Sequence, residues 1–238
     1  MLRPDPAGDA LRLKWLLQHV RRLAIEFQTL IAFGVVALGF LGFVAVAEDL
    51  MEGETHRFDT SVLLAMRVAG DPSDPIGPPW FERAMADLTA LGGYAILTLL
   101  LIASIVYLSA TGKWRTSLLV FGAVSSGTLL SSLLKQGFDR PRPELVDHLT
   151  HATSSSFPSG HATLSAVAYL TLGLLMARAH EHLRVRILIV VGAVAVTVLV
   201  GVSRVYLGVH WPTDVLAGWC LGSAWAAIWW LIASRLTP

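Results

Sequence analysis

A chain of 238 residues could fold as one or two soluble domains, but 54% hydrophobic and only 15% charged residues, with a mean hydropathy of +0.61, lie far from the soluble average. Those values exclude an ordinary soluble globule and point to an integral membrane protein. The formal net charge of +1, with eighteen basic residues scattered between apolar runs, excludes the basic face that a nucleic-acid partner needs.

Residues 1–28 read as a polar arm on the cytoplasmic side, and residues 29–238 as the membrane domain. Apolar stretches able to cross a hydrocarbon core of roughly 30 Å occupy about 29–47, 88–108, 116–134, 161–177, 187–202 and 213–233. The expected fold class is therefore all-α, a polytopic bundle of six transmembrane helices with both termini on one side. The fifth run is short and should continue past Val202 toward Tyr206. Ala45-Val46-Ala47 before Glu48 resembles a signal-peptide cleavage site, but the polar arm ahead of the apolar core is too long for such a peptide, so the first helix should stay uncleaved.

Between the first two spans, residues 48–86 form an outer loop with a Pro/Gly cluster at 71–79. Within it Phe58, Val62, Leu63, Ala65, Met66 and Ala69 recur at helical spacing. Periodicity leaves two roles open for that helix: lying in the membrane interface beside a lipid entry path, or capping the bundle. Lone Cys220 reads as packing in the last span. Trp211 and the pair Trp229 and Trp230 bracket that span about 27 Å apart at 1.5 Å per residue, as interfacial anchors would.

Orientation follows from the basic residues. Arg3, Arg12, Lys14, Arg21, Arg22, Lys113, Arg115, Arg178, Arg184, Arg186 and Arg235 fall on one side of a six-helix topology, against Arg57, Arg67, Arg83, Lys135, Arg140, Arg142 and Arg204 on the other. The richer side should be cytoplasmic, which places the loop 48–86 and the segments discussed next on the outer face, periplasmic or extracytoplasmic in a bacterial inner membrane.

Three segments carry the chemistry. Lys135 ends the third apolar run, and Asp139-Arg140-Pro141-Arg142-Pro143 follows, its prolines holding an extended backbone that can aim Arg142 back at the helix end. Pro158-Ser159-Gly160-His161 opens the fourth run, where the Ser159 and Gly160 amides and the positive helix end suit an oxyanion, and His161 can reach a leaving oxygen. Ser203-Arg204 leaves the fifth run, Gly208 permits a turn, and Pro212 fits the first position of the sixth helix. That puts His210 and Asp214 on either side of its first turn, where the carboxylate can hold one imidazole nitrogen and leave the other as nucleophile. A phosphate monoester carries close to two negative charges, and Lys135, Arg142 and Arg204 supply three positive ones to meet them. Arg140 could serve the phosphate shell or a lipid headgroup. His148 with His151, and His180 with His182, lack cysteines or carboxylates at metal-ligand spacing, so no metal site is expected.

These segments resemble the signature of the type 2 phosphatidic acid phosphatase family, the membrane branch of a superfamily that includes bacterial acid phosphatases and vanadium haloperoxidases. Lys135, Arg142 and Pro143, then Pro158 to His161, then Ser203, Arg204, His210 and Asp214 match without a departure. The resemblance implies a metal-independent, cofactor-free phosphatase. In that reading His210 attacks phosphorus, His161 protonates the leaving alkoxide and later activates water, and Lys135, Arg142, Arg204 and the Ser159 and Gly160 amides hold the oxygens. A site at the membrane edge favours an amphiphilic partner, a lipid phosphate or an isoprenyl pyrophosphate among membrane lipids. A phosphotransferase using the same phosphohistidine is the alternative; a vanadate-dependent haloperoxidase and a lipid-phosphate transporter fit less well, the latter because its site would sit near the midplane.

Overall fold

The computed structural model describes residues 6–236; residues 1–5 of the expected arm, Arg3 among them, lie outside the described residues. Helix α1 (Pro6–Glu52) is one run of 47 residues, about 70 Å long at 1.5 Å per residue. The arm and the first span thus share a helix, because the sequence from Asp9 to Phe33 contains neither glycine nor proline and is rich in strong helix formers.

The outer loop is more ordered than its composition suggests. It holds α2 (His56–Leu64), a small antiparallel hairpin of β1 (Arg67–Val68) and β2 (Asp71–Pro75), and α3 (Pro79–Ala90), which opens on a proline at its first position. Gly70, at φ +88°, turns the hairpin in a region that disfavours side chains.

Among the described residues, five stretches are long and apolar enough to cross a membrane singly: Ile25–Glu52 of α1; α5 (Trp114–Phe138); Gly160–Arg178, made of α6 (Gly160–Ser165), a π turn (Ala166–Leu170) and α7 (Thr171–Arg178); α8 (Leu183–Tyr206); and α9 (Pro212–Leu236). A pair, α3 and α4 (Tyr94–Ala110), passes the same test only when taken together and is bent by 46°, the geometry of a broken span or a re-entrant segment, so the expected six becomes five single spans and this pair. The second span therefore differs from the expected single helix over 88–108. The break falls at Gly92-Gly93, where a Cβ on Gly92 would stand 2.4 Å from Val200 and 3.3 Å from the His161 ring, so the chain turns where only a bare backbone fits. α8 does run on to Tyr206, as expected, and stops before Gly208 at φ +75°.

The outward faces of α1, α4 and α8 carry Leu30, Leu38, Leu99 and Leu188, all more than 60% exposed, as side chains facing lipid should be. Lipid tails are as apolar as leucine, so such surface gives no force between helices, and close packing through small residues must supply it. Central α9 packs on α1, α2, α5, α6, α7 and α8. Gly218 and Gly222 meet Ala162 and Ala166: a Cβ on Gly218 would lie 2.9 Å from Ala162 Cβ and 3.0 Å from Ser159 O, and one on Gly222 would lie 2.5 Å from Ala166 Cβ. This approach brings the first turns of α6 and α9 side by side, and the Ser159 N–H donates to Asp214 O at 3.0 Å to join them.

Candidate active site

Four helix ends and two connecting segments converge at one end of the bundle. Lys135 stands in the last turn of α5 and Arg204 in the last turn of α8; Gly160 and His161 open α6, and Asp214 sits in the first turn of α9. α5 stops at Asp139 in a left-handed conformation, φ 42°, and the proline-rich stretch that follows carries Arg142 across to the α8–α9 turn. Lys135, Arg142, Gly160, His161, Arg204 and His210 line a single cavity of about 270 Å³, with Tyr94 and residues 151–154.

The cationic side chains are tethered but not spent. Lys135 Nζ donates to Ser155 O at 2.6 Å, while Ser155 Oγ donates to Lys135 O at 2.7 Å. Arg142 Nε donates to Ser154 O at 2.9 Å and its Nη1 to Val209 O. Arg204, only 3% exposed, gives Nη1 to Thr89 Oγ1 at 2.9 Å and leaves Nε without an acceptor among the described residues. A buried donor left unmet is costly, and an anion in the cavity would meet it. Burial pushes the Arg142 guanidinium below its ordinary value, with Asp214 acting against that shift; arginine stays charged regardless.

His210 is 2% exposed. Its Nδ1 lies 3.4 Å from Asp214 Oδ2 and 3.4 Å from Ser156 Oγ, and its Nε2 lies 3.3 Å from Arg142 Nη1. A guanidinium can only donate, so Nε2 is the acceptor and Nδ1 carries the proton toward Asp214. That tautomer leaves the lone pair on the cavity side. Burial, seconded by Arg142 and Arg204, pushes the imidazole down to about 3 against the opposing pull of Asp214, so the ring is neutral at physiological pH.

Asp214 is fully buried behind the cavity. Its Oδ2 also accepts from the Ser156 hydroxyl and from Trp211 N–H at 2.9 Å, and its Oδ1 accepts from Arg140 Nη1 at 2.6 Å.

Three expectations change. Ser159 does not line the cavity: its amide is taken by Asp214 O, and its hydroxyl caps α6 by accepting from Ala162 N–H at 3.5 Å. Of the two residues whose amides were expected to hold phosphate, only Gly160 lines the cavity. Trp211 is no interfacial anchor, being 9% exposed with its indole donating to Pro141 O at 3.1 Å. Arg140 does not line the cavity; it pairs with Asp214 and, through Nη2, with Asp59 Oδ2 at 2.7 Å. Sequence reasoning missed Ser156, Thr89 and Asp59. Ser156 belongs to the run Ser154-Ser155-Ser156 just before the second motif, a signal that was available; Thr89 lies 115 residues from Arg204 and Asp59 lies 81 from Arg140 and 154 from Thr213, and neither had one.

Residues 116–238 match the PAP2 superfamily. The chain is 37% identical over 152 residues to the phosphatidylglycerophosphatase B of Bacillus subtilis (strain 168), covering 62% of this chain and 72% of that protein. It is 46% identical over 71 residues to the undecaprenyl-diphosphatase of Sulfolobus acidocaldarius, 30% of each chain. A crystal structure of a transmembrane PAP2-type phosphatidylglycerolphosphate phosphatase from Bacillus subtilis superposes with a TM-score of 0.74 at 28% identity, over 85% of this chain and 97% of that one.

Proposed function

The chain belongs to the PAP2 superfamily, and on that premise we propose that it is a membrane phosphatase that hydrolyses a lipid phosphate or isoprenyl pyrophosphate at the outer face, through a phosphohistidine on His210. The observation that carries this reading is the cavity itself, which Lys135, Arg142 and Arg204 line together with His210, Arg142 Nη1 standing 3.3 Å from its Nε2. The relatives named for phosphatidylglycerophosphate and undecaprenyl diphosphate support the substrate class.

The three cations and the Gly160 amide hold the non-bridging oxygens and take up the charge that develops on them. The Nε2 lone pair of His210 forms the bond to phosphorus as the bond to the leaving oxygen breaks, and His161, which takes up a proton once the bound phosphate offsets the surrounding cations, gives that proton to the leaving oxygen. Asp214 and Ser156 hold the Nδ1 proton throughout, stabilising the positive ring. Water then gives a proton to His161 and attacks phosphorus; the N–P bond breaks, its electrons return to Nε2, and phosphate leaves. Placement at helix ends, not at the bundle midplane, favours chemistry over transport, and the basic-residue asymmetry favours an extracytoplasmic site in a bacterial inner membrane.

Purified protein should release phosphate from at least one of phosphatidate, phosphatidylglycerol phosphate, an isoprenyl pyrophosphate or a lipid A phosphate, in the presence of EDTA. His210→Ala should lose both turnover and alkali-stable labelling by a radiolabelled phosphate substrate. Parent-level turnover and labelling in His210→Ala would falsify the assignment of the nucleophile. Activity lost on chelation and restored by Mg²⁺ would overturn the metal-free mechanism.

A further inference from the structure

We propose that Asp59, on α2 of the outer loop, is a positioning residue for the Asp214–His210 pair and acts through Arg140; this rests on the phosphatase reading above. Asp59 lies outside the three motif segments and outside the matched region, yet its side chain is fully buried.

The geometry forms a closed ring. Asp59 Oδ2 accepts from Arg140 Nη2 at 2.7 Å and from the Thr213 hydroxyl at 2.7 Å, and that hydroxyl in turn accepts from Arg140 Nη1 at 2.9 Å. Asp59 Oδ1 accepts from the Thr213 N–H at 2.9 Å. This amide belongs to the first turn of α9, where backbone donors have no partner within the helix and a carboxylate is favoured by the helix dipole. Thr55 Oγ1 lies 3.2 Å from Arg140 Nη2 and closes the outer edge, and the guanidinium stacks 5.5 Å from the Trp211 ring. Arg140 is thereby fixed in plane between two buried carboxylates.

The consequence falls on Asp214. Its Oδ1 is held by Arg140, so Oδ2 faces Ser156, Trp211 and His210 in one orientation. Asp59 also shares the charge of Arg140. Without it the guanidinium either swings away, freeing Asp214 to rotate, or rests its whole charge on Asp214, making that carboxylate a poorer acceptor for the His210 Nδ1 proton. Either change acts on the step in which the imidazole becomes positive. Substrate binding depends on Lys135, Arg142 and Arg204, which Asp59 does not touch. Helix α2 thus caps the bundle, with Leu63 in the cluster of Val146, Ala162, Val205, Trp211 and Val215, and delivers a carboxylate to the rear of the site.

The test is steady-state kinetics in detergent micelles on whichever of phosphatidate, phosphatidylglycerol phosphate, an isoprenyl pyrophosphate or a lipid A phosphate the parent turns over fastest, with kcat divided by the fraction of protein that labels on His210. Asp59→Asn keeps the oxygen for Thr213 N–H and the shape of the side chain, and so serves even if Asp59→Ala fails to fold. It should lower kcat per labelled site by about 10- to 100-fold, the scale of a small misplacement of a reacting group, and leave KM little changed. Arg140→Ala should lower kcat similarly, and the Asp59→Ala/Arg140→Ala double variant no further, since residues acting as one unit are non-additive. A parent-like kcat per labelled site in Asp59→Asn, a rise confined to KM, or losses that multiply in the double variant would overturn the proposal. If the parent itself neither turns over nor labels at His210, the phosphatase reading falls; if it does both and Asp59→Asn matches it, the positioning role alone falls.

Discussion

His210 meets the acid limb of any pH profile in an unusual way. With the buried imidazole pushed down to about 3, against about 6.5 for an exposed histidine, the proposed nucleophile should remain neutral as pH falls from 7 to 5. In nitrogen NMR of histidine-labelled protein, the His210 ring should show the neutral Nδ1–H tautomer at pH 5; a transition centred near 6.5 would contradict this. The sign for stability follows from proton uptake: between about 6.5 and 3 the unfolded chain binds a proton at this position and the folded chain does not. This histidine's contribution is therefore complete above about 6.5 and is lost as pH falls toward 3. At the same scale, the sequence made His210, Asp214 and the three cations legible because each sits at a fixed offset from a helix end. Ser159 was misread because a capping serine and an oxyanion donor share one signature, and only packing tells which amide is already taken.

At the level of elements, contact between α1 and α9 is set by glycine. A Cβ on Gly39 would fall 2.6 Å from Cys220 O and 2.8 Å from Ala224 Cβ, and one on Gly42 would fall 2.9 Å from Cys220 Sγ, whereas a Cβ on Gly34 of the same helix meets nothing within 4 Å. Gly39→Leu should push α1 off α9, costing about 1–3 kcal/mol by overpacking and lowering the melting temperature in detergent. Gly34→Leu, one turn and a half away, should leave it unchanged or slightly raised, since leucine outranks glycine in helices. Equal melting temperatures for the two would show that the helices do not need this approach. Continuous apolar runs made the spans easy to read. Helix α2 was foreseen as amphipathic, but nothing in its period separated a lipid-facing role from a cap, and the inward residue that decides the matter is a carboxylate, Asp59, not an apolar one.

Over the whole molecule, the helix ends put the site at one end of the bundle, and the proposed extracytoplasmic placement rests on the basic-residue count. A reporter fused after Pro238 should be cytoplasmic, and one inserted near Ser73, at the exposed hairpin, should lie on the opposite side. Both on one side would remove the outer-face assignment. Five of the six expected spans were readable from hydropathy, and in place of the sixth stands a bent pair whose break lies where Val200 and His161 press against Gly92. Such a break arises between elements far apart in the chain, beyond the reach of any window along it. The same distance hid the link between Asp59 and Asp214.

The contact between Arg142 Nη1 and His210 Nε2 at 3.3 Å has a bearing on selectivity. At rest the lone pair that would attack phosphorus is shielded by the arginine that would bind the phosphate. An approaching anion draws that guanidinium toward itself and so bares the nitrogen as it arrives, whereas an uncharged electrophile, having nothing to offer the arginine, finds the nitrogen occupied. On the proposed reading the pocket would sort its visitors by charge before shape, and the nitrogen would be protected from stray alkylation for as long as no phosphate is present.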